Sequence, residues 1–359
     1  MATLYVSADI SEWRDRRLTA KHTTQNRNVT LADVARLAGV SAKTVSRVIN
    51  QSDYVSAETR AQIEKAIEEL GYRPNRVARS LASNRSYIIG LSLPDVTNPF
   101  FPEILRGVQQ EALQRGYHVL TYNTDLDMER EKQGLALLEE MRVDGIIVCT
   151  MRLPDDQLRP LLQRHRAVVL VNRVLAGNEA GIVRIDYFKA MQQIVQHLVD
   201  GGRRKIGYLD VSRSVASYSS TERFGGFQAA MAANGLTVNP DYIRRCAATI
   251  EGSSEAARDL LTASPELDAI ICYNDVIAGG TLEACAALGV AVPDKVAVTG
   301  FDNIMFSSVF KVALTTAHVP RFELGIRAAQ MLFNRIDGDT TVREMLLDTE
   351  LFVRQSTPH

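Results

Sequence analysis

Lys43, Thr44, Arg47 and Asn50 share one face of a short helical stretch, while Val45, Val48 and Ile49 share the other. Two cations, a hydroxyl and an amide at this spacing offer hydrogen-bond donors rather than a nucleophile or a base. Such a face suits the acceptor-rich base edges of a DNA major groove and the phosphates beside them. A second set lies in Tyr72 to Ser83, YRPNRVARSLAS, where Leu81 follows Arg76 and Arg79. An apolar side chain among arginines can wedge into a minor groove and kink the duplex.

Both sets need elements to hold them. Thr30 is placed to cap a helix beginning at Leu31, with Asp33 completing the capping signal, and Val34, Leu37 and Ala38 give it an apolar face. Gly39 supplies the turn, Ser41 caps the second helix, and the pair reads as a helix-turn-helix whose second member is free to enter a major groove. Ser56 caps a third helix, Ala57 to Leu70, with Ile63, Ala66, Ile67 and Leu70 on one face and Gly71 at its end. Residues 29–73 are therefore expected to form an all-α DNA-binding head. Pro74 stops what precedes it, and Asn75 can cap a turn or two of helix carrying Val77, Ala78 and Leu81. That helix is too short to persist alone in water, so residues 74–86 read as a hinge that folds only when held. Residues 1–28 lack periodicity and read as a disordered extension.

The chain has 359 residues, 46% hydrophobic and 23% charged, and its length implies more than one domain. Its net charge of −1 hides an asymmetry: through Ser86 there are 14 Lys/Arg against 9 Asp/Glu, and the remainder is acidic. Cys149, Cys246, Cys272 and Cys285 are widely spaced, which fits buried reduced thiols rather than a metal site or disulfides. With neither a membrane-length apolar run nor a secretion signal, a cytoplasmic protein is expected.

From Tyr87 onward, strands and helices alternate, from Tyr87–Leu93 through Val296–Gly300, then a helix at about Arg321–Ile336 and a final strand near Leu346–Val353. Repeated units of this kind imply parallel sheets with right-handed crossovers, and their number implies two doubly wound lobes rather than one sheet. Ligands in such sheets bind beyond the carboxyl ends of the strands. The fold class is thus a helix-turn-helix head plus an α/β core of two doubly wound parallel-sheet lobes.

The stretches VTLADVARLAGVSAKTVSRVIN, VSAETRAQIEKAIEELGYRPNRVARSLAS, NPFF, RVDGII, CYND, GFDN and LTTAHVP, in this order, resemble the lactose repressor/galactose repressor (LacI/GalR) family from Val29 to about Thr357. The resemblance implies periplasmic-binding-protein-like lobes, an N-lobe of residues 87–186 and 318–345 and a C-lobe of 187–317 and 346–359. It further implies a homodimer on a pseudo-palindromic operator, repression controlled by a small ligand, and neither cofactor nor metal. By it, Ala42, Lys43 and Arg47 read bases, Thr44, Ser46 and Asn50 hold phosphates, and Asn75, Val77, Ala78 and Leu81 form the minor-groove hinge.

The same resemblance places effector-binding groups at strand tips: Asn98, Phe100, Phe101, Asn123, Asp125 and Arg173 in the N-lobe, and Arg223, Asn274, Asp275 and Asp302 in the C-lobe. Carboxylates, amides and an arginine around aromatic faces suit a carbohydrate, whose hydroxyls need donors and acceptors and whose C–H faces stack on rings. Ser217 stands where the purine-responsive branch of the family has an arginine, which disfavours a purine. An enzyme would need parts the chain lacks: there is no G-x-x-x-x-G-K-[ST] loop, G-x-S-x-G elbow or G-x-G-x-x-G turn. Asp125, Asp275 and Asp302 are therefore read as ligand contacts rather than acid-base carboxylates, and no catalytic residue is expected. A transport-type binding protein would share the lobes but have no use for the head.

Overall fold

The computed structural model describes residues 29–49, 55–73, 85–149, 152–177, 179–212 and 217–358. The extension 1–28, Asn50 and the hinge residues Asn75, Val77, Ala78 and Leu81 lie outside them. The chain divides into two compact units, residues 1–83 and 84–359.

In the head, α1 (Leu31–Leu37), α2 (Ala42–Ile49) and α3 (Ala57–Leu70) surround a small core of Val34, Ala35, Val45, Val48, Ile63, Ala66 and Tyr72. The expected caps form. Thr30 Oγ1 accepts from the Asp33 amide and Asp33 Oδ2 accepts from the Thr30 amide, a reciprocal box that satisfies two otherwise orphaned donors. Gly39 and Gly71 take left-handed φ of 66° and 59°, which turns the chain after α1 and ends α3. The apolar face of α1 differs from expectation: Leu37 is 47% exposed and Ala35 is buried in its stead. Tyr72, just after α3, is buried in the head core.

Among the described residues, the second unit holds two six-stranded sheets, ordered β11-β5-β4-β3-β1-β2 and β12-β10-β9-β8-β6-β7. The N-lobe strands are β1 (Ile88–Leu93), β2 (His118–Asn123), β3 (Gly145–Val148), β4 (Val168–Val171), β5 (Gly181–Ile185) and β11 (Glu344–Leu347). The C-lobe has β6 (Ile206–Val211), β7 (Ile243–Cys246), β8 (Ala269–Cys272), β9 (Ala297–Asp302), β10 (Thr315–His318) and β12 (Glu350–Phe352). Central strands such as β3 and β8 are buried along their whole length, as helix-covered parallel sheets require. Among the described residues, all pairings are parallel except β10 with β12.

Helices α4 (Phe100–Gln114), α5 (Met128–Glu140), α6 (Asp155–Leu162) and α11 (Arg321–Ile336) pack on the N-lobe sheet or on one another. In the C-lobe, α7 (Tyr187–Asp200) pairs with α8 (Tyr218–Ala233), and α9 (Ile250–Ala263) with α10 (Asp275–Leu288). The chain passes between lobes three times: from β5 to α7, from β10 to α11, and from β11 to β12. This corrects two expectations. The final strand is two strands in different sheets, broken at the polar pair Asp348-Thr349. The lobe boundaries also move, because His318 ends a C-lobe strand while Leu346 and Leu347 end an N-lobe strand.

Candidate functional site

On α2 the side chains sort by exposure as the periodicity requires: Val45 and Val48 are buried, while Ala42, Lys43 and Arg47 are exposed. Thr44 and Ser46 are half-buried; the Thr44 hydroxyl meets Ser41 Oγ at 2.8 Å, where Ser41 also accepts from the Thr44 amide. The structure thus presents Lys43 and Arg47 together as an exposed donor face of α2.

The second site is a cleft of roughly 670 Å³, partly open to solvent, lined from both lobes. Six of the ten sequence-derived candidates line it: Asn98, Phe100, Phe101, Arg223, Asn274 and Asp302. On the N-lobe side, Asn98 Oδ1 accepts from the Phe100 amide at 3.0 Å at the start of α4, which sets Phe100 and Phe101 edge-to-face with centroids 5.1 Å apart. On the C-lobe side, Asn274 Oδ1 caps α10 by accepting from the Ile277 amide at 3.0 Å. Each asparagine thus commits its carbonyl to the helix and keeps its NH₂ as the donor it can offer a ligand.

Arg223 is the centre of the C-lobe wall. Its Nη1 donates to the Tyr273 carbonyl at 2.6 Å and Nη2 to Asp302 Oδ1 at 3.1 Å. Its guanidinium lies 4.0, 4.2 and 4.5 Å from the ring centroids of Phe301, Tyr273 and Tyr187. Burial of this completeness removes hydration, so rings and carboxylate must replace it. Arg223 Nε is buried without a hydrogen-bond partner among the described residues. Burial pushes Asp302 up to about 6, although Arg223 and Arg321 pull the other way.

Four candidates are not in the cleft wall. Asn123 Oδ1 accepts from the Val96 amide at 3.1 Å and so shapes the turn after β1. Asp125 pairs with Arg130 at 2.7 Å on the surface. Arg173 donates to the Leu153 carbonyl at 2.6 Å and to Asp155 at 2.5 Å. Asp275 is wholly buried behind the wall, where Oδ1 accepts from the Thr316 hydroxyl at 2.6 Å and Oδ2 from the Ile304 amide at 2.7 Å. Desolvation pushes it up to about 8. Asn123, Arg173 and Asp275 hydrogen-bond to loops beside the wall, and Asp125 forms a surface ion pair.

Sequence reasoning missed Tyr187, Ser219, Tyr273, Asp95 and Arg152, all of which line the cleft. Tyr273 was within view, in the CYND motif beside two residues that were chosen. Ser219 Oγ and Tyr273 Oη lie 2.9 Å apart, an amphoteric pair able to meet a hydroxyl as donor or acceptor. Arg152 lies in the bend before α6, where the buried Glu131 carboxyl accepts from its amide at 3.2 Å and is pushed up to about 7 by desolvation. No motif in the sequence marks that bend.

Comparison with known proteins accounts for both sites together. Residues 86–355 match the model for periplasmic binding proteins and the sugar binding domain of the LacI family, and residues 30–75 match that for bacterial regulatory proteins of the lacI family. The HTH-type transcriptional repressor PurR of Photobacterium profundum is 34% identical over 333 residues, covering 91% of this chain and 98% of that relative. A Lac repressor dimer bound to operator and the anti-inducer ONPF superposes with a TM-score of 0.83 at 27% identity, over 92% of this chain and 99% of the other. A complex of the transcriptional regulator CelR with cellobiose gives a TM-score of 0.69 at 30% identity, over 91% and 99%. A donor-presenting head and a two-lobed cleft on one polypeptide are thus explained together: the chain belongs to the LacI family of bacterial regulatory proteins and is a DNA-binding transcriptional regulator under the control of a small ligand.

Proposed function

We propose that the chain is a cytoplasmic repressor whose ligand is a carbohydrate or sugar derivative held between the lobes, and that it carries out no catalysis. The observation that carries this reading is the cleft itself. Arg223 and Asp302 supply a fixed donor and acceptor, Ser219 and Tyr273 an adaptable pair, and Phe100, Phe101 and Tyr187 the faces against which ring C–H groups pack. The cellobiose bound to CelR supports the ligand class. A purine is the second reading, favoured by the resemblance to PurR and by the same aromatic faces, which would also stack a base. Against it, Ser217 has no charge to offer and its hydroxyl already meets Ser219 at 3.2 Å. A thermal-shift panel of D-glucose, D-galactose, D-ribose, cellobiose and hypoxanthine decides between them. A sugar at 100 times its dissociation constant stabilises by about 2.7 kcal/mol. A rise with hypoxanthine alone would reverse the assignment.

The DNA partner is a pseudo-palindromic operator read by two heads of a homodimer. Ala42, Lys43 and Arg47 face the bases; Thr44, Ser46 and Asn50 hold phosphates; and Asn75, Val77, Ala78 and Leu81 serve the minor groove at the centre. Dimer formation is supported by an exposed apolar group on the C-lobe: Met305 and Val309 are each 72% exposed and lie with Phe306 in the turns after β9. Arg47→Ala is expected to cost about 1–3 kcal/mol at one base pair of each half-site. Binding titrations on single-base variants of a site selected from random DNA check this; a uniform loss on every variant would make Arg47 a phosphate contact.

A further inference from the structure

Asp302 ends β9 with φ of 101°, and Asn303 follows with φ of 52°, two successive non-glycine residues in a region that L side chains rarely adopt. What holds this turn is unusual in its reach. The Asn303 amide donates to Thr316 Oγ1 at 3.3 Å, and its carbonyl accepts from Arg321 Nη2 at 2.7 Å. Its side chain meets His318 Nδ1 at 3.1 Å through Nδ2, while Oδ1 accepts from Ser307 Oγ at 2.9 Å and from Arg354 Nη2 at 2.8 Å. Arg354 is itself anchored, donating to the Leu314 carbonyl at 2.7 Å.

These partners bracket the passages between lobes. His318 is the last residue of β10 and Arg321 the first of α11, so they stand on either side of the second crossing. Arg354 follows β12, where the third crossing lands, and the His318 ring stacks on Phe352 of β12 at 5.0 Å and 15°. The residue next to the cleft carboxylate is therefore tied directly to the segments that must bend when one lobe turns on the other. Asp275 fixes the far side of the same turn through Ile304 and Thr316.

We infer that Asn303 is a positioning residue that couples occupancy of Asp302 to the angle between the lobes. A ligand pulling on Asp302 cannot move it without moving Asn303, and Asn303 carries the crossings with it. A ligand shifts a conformational equilibrium only by its differential affinity for the two states, so a turn rigidly joined to the hinge converts local contact into that difference. This rests on the cleft reading above, in which Asp302 meets the ligand.

The test uses the full chain and Asn303→Gly, which keeps the left-handed backbone and removes every side-chain bond. The probe is whichever of D-glucose, D-galactose, D-ribose or cellobiose stabilises the parent protein. The variant is expected to bind that sugar within about threefold of the parent, while the sugar's effect on affinity for the selected DNA site falls about tenfold. Asn303→Asp, which keeps the acceptor for Ser307 and Arg354, should restore part of the response. Equal loss of sugar binding and response, or an intact response, would overturn the assignment. If none of the four sugars binds the parent protein, the carbohydrate reading fails, and Asn303 is judged without ligand. Spin labels on cysteines at Glu140 and Gln228 then report the distance between lobes, the four native thiols being buried. Asn303→Gly should broaden that distribution and Asn303→Asp should not; an unchanged distribution in the glycine variant overturns the inference.

Discussion

Arg223→Ala is expected to lower stability by about 3–5 kcal/mol at pH 8 and to abolish the response to ligand. The loss arises from what the arginine leaves behind. Asp302 is buried and would lose the guanidinium it is hydrogen-bonded to, so that ionising it becomes more costly, and the Tyr273 carbonyl would lose a donor. The sign with pH follows from the direction of the Asp302 shift. A carboxyl raised in the folded state stays protonated there after the unfolded chain has released its proton, so its ionisation costs stability as pH rises from about 4. In the intact protein that cost stops growing near the shifted value of about 6. Without Arg223 the value moves higher and the cost continues to grow, so the deficit should be small at pH 4.5 and largest at pH 8. Urea unfolding at both pH values measures it, and an equal deficit at each would show that lost packing, not the stranded carboxylate, is responsible. Replacing both partners, with Arg223→Met and Asp302→Leu, should restore most of the stability and none of the ligand response. That separation would identify the buried pair as a device for binding rather than for folding.

The head and the two lobes were legible because their signals are local. Thr30 with Asp33, Gly39, Ser41 and Gly71 each fix a backbone feature within three or four residues, and the alternation of strands with helices repeats often enough to imply the sheets. The lobe crossings were less so, since a break such as Asp348-Thr349 looks like any polar pair until each half finds a different sheet. The site was half legible for a related reason. Proximity to a strand tip is readable, but side-chain direction is not: Asn274 faces the cleft, whereas its neighbour Asp275 turns behind it toward Thr316 and Ile304. One clue did lie in the sequence. A Cβ on Gly300 would sit 2.2 Å from Asp275 Oδ1, so the glycine of GFDN makes room for a carboxylate tucked under the wall. Asn123 and Arg173 show the same limit: both lie near strand tips, yet their hydrogen bonds go to the Val96 amide and the Leu153 carbonyl of neighbouring loops.

Gly107→Ala should destabilise the N-lobe by about 3 kcal/mol, the upper end of what overpacking a core costs. In this structure α4 and α11 touch backbone to backbone. A Cβ on Gly107 would lie 2.1 Å from the Phe322 carbonyl oxygen, and one on Gly325 would lie 2.2 Å from that of Ile104. A carbonyl held in a helix cannot rotate away as a side-chain terminus can, so the helices must separate. Alanine's higher helix propensity offsets only about 1 kcal/mol of this. Separation also reaches the cleft, because α4 begins with Phe100 and Phe101 and α11 begins with Arg321, the residue that holds the Asn303 carbonyl. Gly225→Ala on α8 is the matched control. There the added Cβ meets only the Phe188 ring at 3.7 Å, an ordinary contact, so propensity alone should act and the variant should be neutral or slightly stabilised. Urea unfolding of the two variants side by side measures the difference. Equal effects would mean that the α4–α11 pair yields as readily as an open helix face, and that the spacing of the aromatic wall from the hinge is not set by these two glycines.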